Sequence, residues 1–175
     1  MRFSTLNYRL KQVRQQLGFV APLSAGDYAE VMCHLPASAL SLFRTMSPAD
    51  QQHSLRVCRG LLAGGCQDKD MLAAALLHDV GKAAGRVPFW TRPVIVLGKQ
   101  LAPELLKRLV VYPPMDGSAS IPHWRRSLSY AWYHAEVGAE LAASAGLSER
   151  AVLYIRTHHQ PNGPATRLHE VDEVS

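Results

Sequence analysis

The sequence predicts an all-α fold, a helical bundle, on three observations. Apolar residues recur at helical spacing along most of the chain, and only Pro93-Val94-Ile95-Val96-Leu97 reads as a β-branched run. Helix start and stop signals follow one another at short intervals. A content of 47% hydrophobic and 19% charged residues over 175 residues is that of a globular chain long enough to bury a core of its own.

Taken in order, Tyr8 to Leu17 is a polar, basic helix with Leu10, Val13 and Leu17 on one face, and Ala25 to Leu35 is a short helix ended by Pro36. Pro36 to Met46 is a third. These elements make residues 1–47 a helical appendage packed on the core, which residues 48–175 form. Ser47-Pro48 reads as an N-cap with proline at the first helical position, opening a helix that runs to about Ala63. Gly64-Gly65 stops it, and Asp68 caps the next helix, whose Met71, Leu72, Ala75 and Leu76 form a buried stripe leading to His78-Asp79. Val87 to Trp124 is proline-rich and irregular, with one helix from about Pro103 to Val111, and reads as a long connection over the core. Arg126 to Ala145 is a single helix carrying His134, Val137, Gly138 and Leu141 on one face. Ser148 caps a further helix that ends at His158-His159, since Pro161-Asn162-Gly163-Pro164 cannot continue it, and Ala165 to Val174 makes two final turns.

Composition excludes several classes. No apolar run approaches the roughly 18 residues that span a bilayer, and no apolar segment follows the basic N-terminal residues. The three cysteines, Cys33, Cys58 and Cys66, form no CxxC pair, so neither a disulfide framework nor a zinc-finger spacing is available, and a reducing cytoplasmic setting is expected. The net charge of +5 is concentrated in the first 26 residues and in Lys82 to Arg126. Such an excess suits anionic partners without requiring a nucleic acid, which is not expected here. The apolar, basic stretch Pro93 to Val111 reads as a buried helix edge in preference to a membrane contact.

The residues with chemistry are His53, His78, Asp79, His134, His158, His159 and Asp172, distributed over different helices apart from the two adjacent pairs. Side chains projecting inward from facing helices can converge on one or two ions. Imidazole with carboxylate suits iron, manganese, zinc or nickel better than calcium, and a carboxylate can bridge two ions. A single histidine on an apolar face is more often a satisfied core residue. Burying the whole set without metal, however, would cost about 1–3 kcal/mol for each polar group left without a partner. Adjacent helical positions point about 100° apart, so one of His158 and His159 can support the other instead of binding directly. His34, His123 and His169 read as surface or capping residues, and Trp124, Tyr130, Trp132 and Tyr133 as core packing or as a wall on which a nucleobase stacks.

Gln51-Gln52-His53-Ser54-Leu55, Ala73 to Lys82 (AAALLHDVGK), Tyr133-His134-Ala135-Glu136, Thr157-His158-His159-Gln160 and Leu168 to Ser175 (LHEVDEVS) together resemble the HD superfamily of metal-dependent phosphohydrolases, over residues 48–175. The HDxGK form ending at Lys82 is the most specific piece. The resemblance implies an all-α bundle with the metal site at its centre and the ligand order of the two-metal members. His53, His78 and Asp172 then resemble ligands of one ion, Asp79 the bridging carboxylate, and His134, His158 and His159 ligands of the second. It further implies divalent ions, manganese or iron first with magnesium, nickel or zinc as alternatives, and a hydroxide formed between them that attacks a phosphate mono- or diester such as a nucleotide. Lys82, assisted by Arg86, would hold the phosphate. Two departures narrow the reading. Gln160 to Ala165 lacks the Tyr-Pro of the members that cleave cyclic di-GMP, and Ala49 stands where a third-ion glutamate would be. The same ligand order resembles the mixed-valent di-iron oxygenases of the superfamily, and a non-catalytic sensor or interaction domain is the third possibility.

Overall fold

The computed structural model describes residues 20–85, 87, 91–113 and 121–175, with backbone alone at 92, 93, 96 and 99. The basic segment Tyr8 to Leu17, together with Arg86 and Trp90, lies outside the described residues. Every regular element among the described residues is helical: α1 (Ala25–Met32), α2 (Ala37–Phe43), α3 (Pro48–Ala63), α4 (Lys69–Leu77), α5 (Gly81–Ala84), α6 (Thr91–Leu101), α7 (Pro103–Leu109), α8 (His123–Trp132), α9 (His134–Ser144), α10 (Glu149–Thr157) and α11 (Thr166–Glu173). None of these is long and apolar enough to cross a membrane.

Local chemistry sets the ends. The Ser24 hydroxyl accepts from Asp27 N while the Asp27 carboxylate takes the Ser24 backbone N–H, a reciprocal cap that opens α1. The Ser47 hydroxyl accepts from Asp50 N ahead of Pro48, the Asp68 carboxylate from Asp70 N and Met71 N, and the Ser148 hydroxyl from Ala151 N. After α3 and α9 the chain turns away through Gly65 (φ 77°) and Gly146 (φ 81°), a left-handed conformation that glycine adopts without a Cβ penalty.

α4 is the central helix. Every residue from Met71 to Leu77 is buried, a fuller burial than the one-sided stripe its sequence predicts, because α3 and α10 flank it. α9 packs on α10 and α5, and α11 on α3, closing the layer around the ends of α4 and α10. Val31, Leu40 and Phe43 of the first two helices and Leu35 of the turn between them share this core with Leu55, Leu61, Leu76, Ile155 and Leu168. Arg59 of α3 ties α1 to the body through Asp27 at 2.7 Å and through Glu30, and Arg150 ties α10 to Asp68 and Asp70 at the start of α4.

Two helix assignments change. Thr91–Leu101 is helical, where the sequence reads as irregular. Pro93 falls in the first turn, where its missing N–H costs nothing, and Ile95 gains burial against Leu106, Val110 and Leu128 in a second apolar cluster that outweighs the weak helix propensity of Val94, Ile95 and Val96. The helix predicted from Arg126 to Ala145 is two helices, interrupted at Tyr133 (φ −99°, ψ 16°). Tyr133 N still reaches Ser129 O and Val137 N reaches Tyr133 O on either side of the break, while the Ala131 carbonyl, freed at the end of α8, is met by the His134 ring.

Candidate metal centre

Three of the histidines stand at the C-terminal ends of helices: His78 directly after α4, His158 directly after α10, and His134 two residues beyond α8. The last four carbonyls of a helix have no partner within it. In each case one of them meets the ring three residues on: His78 Nδ1 lies 2.9 Å from Ala75 O, His134 Nδ1 2.8 Å from Ala131 O, and His158 Nδ1 2.7 Å from Ile155 O. A carbonyl only accepts, so each Nδ1 carries the proton and each Nε2 presents a lone pair. The carbonyl thereby fixes both tautomer and ring orientation, the arrangement that metal-bound imidazoles use. Three helix C-termini thus converge on the same place, each with its His ring held by a carbonyl of its own last turn.

His78, Asp79, His134 and His158 are buried, and the Nε2 atoms of His78 and His158 have no hydrogen-bond partner. Leaving such atoms unpaired costs about 1–3 kcal/mol each, a cost that a bound ion removes. The ligand atoms fall into two groups, each within 4.8 Å: His53, His78 and Asp172, and His134, His158 and His159. Asp79 joins them. Its Oδ2 lies 3.6 Å from His78 Nε2 in the first group and its Oδ1 3.5 Å from His134 Nε2 in the second. The rings of His78 and His158, one from each group, pack edge to face with centroids 5.1 Å apart, so the two groups adjoin.

His53 comes from the middle of α3 and Asp172 from the last turn of α11. His53 Nε2 donates to Asp172 Oδ1 at 2.8 Å, and His78 Nε2 is 3.6 Å from the same oxygen. His159 is the exposed member; its Nε2 lies 2.9 Å from His134 Nε2 and, since His134 carries its proton on Nδ1, donates to it. For either donating ring to bind an ion through Nε2, that proton must leave or move to Nδ1, so metal binding is coupled to proton release. Lys82 Nζ reaches Asp79 Oδ1 at 2.5 Å from the first turn of α5. Arg86, the expected second phosphate contact, lies outside the described residues.

Burial works against the charge on Asp79, but Lys82 above all, then His78 and His134, hold its carboxyl well below the usual range. Burial likewise opposes ionisation of Asp172, and the His53 and His78 rings reverse it. Two carboxylates and one ammonium leave the cluster with net charge of −1 when its five imidazoles are neutral, a balance suited to cations.

Burial pushes His134 down to about 3, with Lys82 acting in the same direction, and burial with the neighbouring rings holds His158 far below 6.5. Both stay neutral in the fold under conditions where an unfolded histidine takes up a proton. The unfolded chain therefore binds more protons below about pH 6.5, and stability is lost as pH falls through that value. His78 opposes this: burial lowers it, but Asp79 and Asp172 raise it overall. With two rings against one, the melting temperature of chelator-treated protein is expected to fall between about pH 7 and about pH 5. A rise on acidification would show that these rings are charged in the fold.

Sequence reasoning missed the three carbonyls at Ala75, Ala131 and Ile155, which are backbone groups with no residue signature. It also missed the Gly81–Gly138 contact: a Cβ on Gly81 would stand 2.8 Å from Gly138 N and closer still to His134 O, so glycine lets α5 lie against the start of α9 and sets Lys82 beside His134. His169 Nδ1 donates to His158 O at 3.1 Å, a capping role that helps anchor the His158 turn, whereas His34 and His123 stand apart from the cluster. Tyr130 is buried with its ring against Gly85, Trp132 and Tyr133 pack on the second apolar cluster, and Trp124 is exposed, so these aromatics do not form one stacking wall.

Comparison with family models, with curated proteins and with solved structures finds no match. The centre is thus described by its own geometry: two adjoining groups of nitrogen and oxygen ligands with a buried carboxylate between them, inside an all-helical fold.

Proposed function

We propose that the chain is a metal-dependent phosphohydrolase of the HD type, cleaving a phosphate mono- or diester, with nucleotides as the first substrate class to test and the cytosol as its setting. The observation that supports this reading most is Asp79, whose two carboxylate oxygens face the two histidine groups separately. The donor set, five imidazoles and two carboxylates, suits manganese or iron, with zinc, nickel or magnesium as alternatives. Two such cations, when bound, supply Lewis acidity that lowers the pKa of water and offsets charge developing on phosphoryl oxygens.

The chain's residues supply the rest. His78, His134 and His158, with tautomers fixed by helix-end carbonyls, cost little reorganisation when an ion arrives. Lys82, beside Asp79 and partly exposed, brings an ammonium to the rim, where it can turn from Asp79 to a phosphoryl oxygen and donate a proton in a hydrogen bond. The side of the cluster carrying His53, Asp172, Lys82 and His159 is accessible to solvent, whereas His78 and His158 form its floor.

The test is inorganic phosphate release from a panel of nucleotides, sugar phosphates and aryl phosphate mono- and diesters, run with manganese, iron, magnesium, nickel and zinc in turn. Release in at least one combination, lost in His78→Ala, is expected. No release in any of them, with oxygen consumption by the iron-loaded protein instead, would replace the hydrolase reading with the oxygenase one.

A further inference from the structure

The ten large apolar side chains that stand exposed among the described residues are unevenly placed: six of them fall between residues 91 and 132. Val94, Leu97 and Leu101 recur at helical spacing along one side of α6, Leu97 being 53% and Leu101 79% exposed, and Leu105 of α7 follows at 58%. The opposite side of the hairpin is where Ile95, Leu106 and Leu109 meet Leu128 and Trp132 of α8. The hairpin thus has two apolar faces. One covers α8, and the other is left to solvent, against the buried edge that the sequence predicts.

This part of the sequence is also basic. Residues 91–132 contain six Lys and Arg against Glu104 and Asp116. Lys107 and Arg108 project from the last turn of α7, with Lys107 within 2.8 Å of Glu104 at an exposed site. Arg125 donates to Leu109 O at 2.7 Å and to Arg108 O, which fastens the first turn of α8 to the end of α7; Trp124, the residue before it in that turn, is half exposed. Exposed leucines, an exposed tryptophan and a basic border are the composition of a surface that lies in the headgroup region of a bilayer, where tryptophan is favoured and each basic residue gains from anionic lipid.

We infer that the outer face of the α6–α7 hairpin, with the first turn of α8, docks on an anionic membrane surface. Charge separates this occupant from the others. A second copy of the chain related by a two-fold axis would set the same basic border against itself. A nucleic acid would meet the charge but leave the leucines exposed. The face is distinct from the metal centre, and the inference does not depend on what that centre catalyses.

Co-sedimentation of the full chain with vesicles of phosphatidylglycerol and phosphatidylcholine, and with vesicles of phosphatidylcholine alone, tests it. Binding is expected to the first and not the second, weakening as salt is raised. Leu101→Gln with Leu105→Gln, and separately Lys107→Glu with Arg108→Glu, should each reduce it by about tenfold or more, while circular dichroism and bound metal stay as in the wild type. Both substitution pairs are at exposed positions, so folding is preserved. Failure to bind anionic vesicles, equal binding to neutral ones, or self-association in sedimentation that Leu101→Gln abolishes would each overturn the inference.

Discussion

Asp79→Ala is expected to reduce bound divalent metal from two ions per chain to at most one and to lower phosphate-ester hydrolysis by about a hundredfold or more. The magnitude follows from position. Asp79 is buried, and it is the carboxylate whose oxygens face His78 in one group and His134 in the other. Its removal takes a negative charge from both groups and leaves the Lys82 ammonium facing neutral rings, so the cluster changes from −1 to neutral and attracts cations less. Buried carboxylates are costly in the absence of metal, so the variant is expected to fold, with circular dichroism like that of the wild type. His169→Ala is the comparison: it removes a support of the His158 turn, and should weaken metal affinity by about 10-fold to 100-fold without removing an ion.

Gly81→Ala is expected to destabilise the protein by about 2–3 kcal/mol, lowering the melting temperature by roughly 5–10 °C. An added methyl group there meets the backbone of α9 at His134 and Gly138, not a flexible side chain that can swing aside. Relief requires α5 to move away from α9, which displaces Lys82 and disturbs the turn that holds His134 against Ala131. Metal content and stability should therefore fall together. Gly26→Ala in α1, where the nearest atom to the new methyl is Ser24 Oγ at 3.7 Å, is the control and should leave stability unchanged or raise it by up to about 1 kcal/mol. Differential scanning calorimetry of the two variants separates crowding at the α5–α9 contact from any general intolerance of alanine for glycine.

Those features of the fold that are written in side chains were legible. Ser47-Pro48, Asp68 and Ser148 cap the helices they were read to cap, because N-capping depends on a side-chain oxygen a few residues from the donors it satisfies. α6 was not legible, since proline and three β-branched residues argue locally against a helix, and burial of Ile95 against Leu106 and Leu128 is a tertiary effect. Nor was the interruption at Tyr133, which has neither glycine nor proline to mark it and which the structure makes by a small change of backbone angle. In the centre, the histidines and aspartates could be named from sequence because they are metal-ligating side chains in short motifs spread over separate helices. Their division into two groups was implied by the resemblance and matches the grouping of the ligand atoms, whereas the carbonyls at Ala75, Ala131 and Ile155 and the direct contact of Lys82 with Asp79 depend on how the backbone turns at the helix ends.

Anomalous diffraction from crystals of the protein reconstituted with manganese, collected at a wavelength where manganese scatters anomalously, tests the central claim most directly. Two peaks are expected, one among His53, His78 and Asp172 and one among His134, His158 and His159, on either side of the Asp79 carboxylate. Peaks away from these residues, or none at the cluster under conditions where the protein is saturated with metal, would contradict the account.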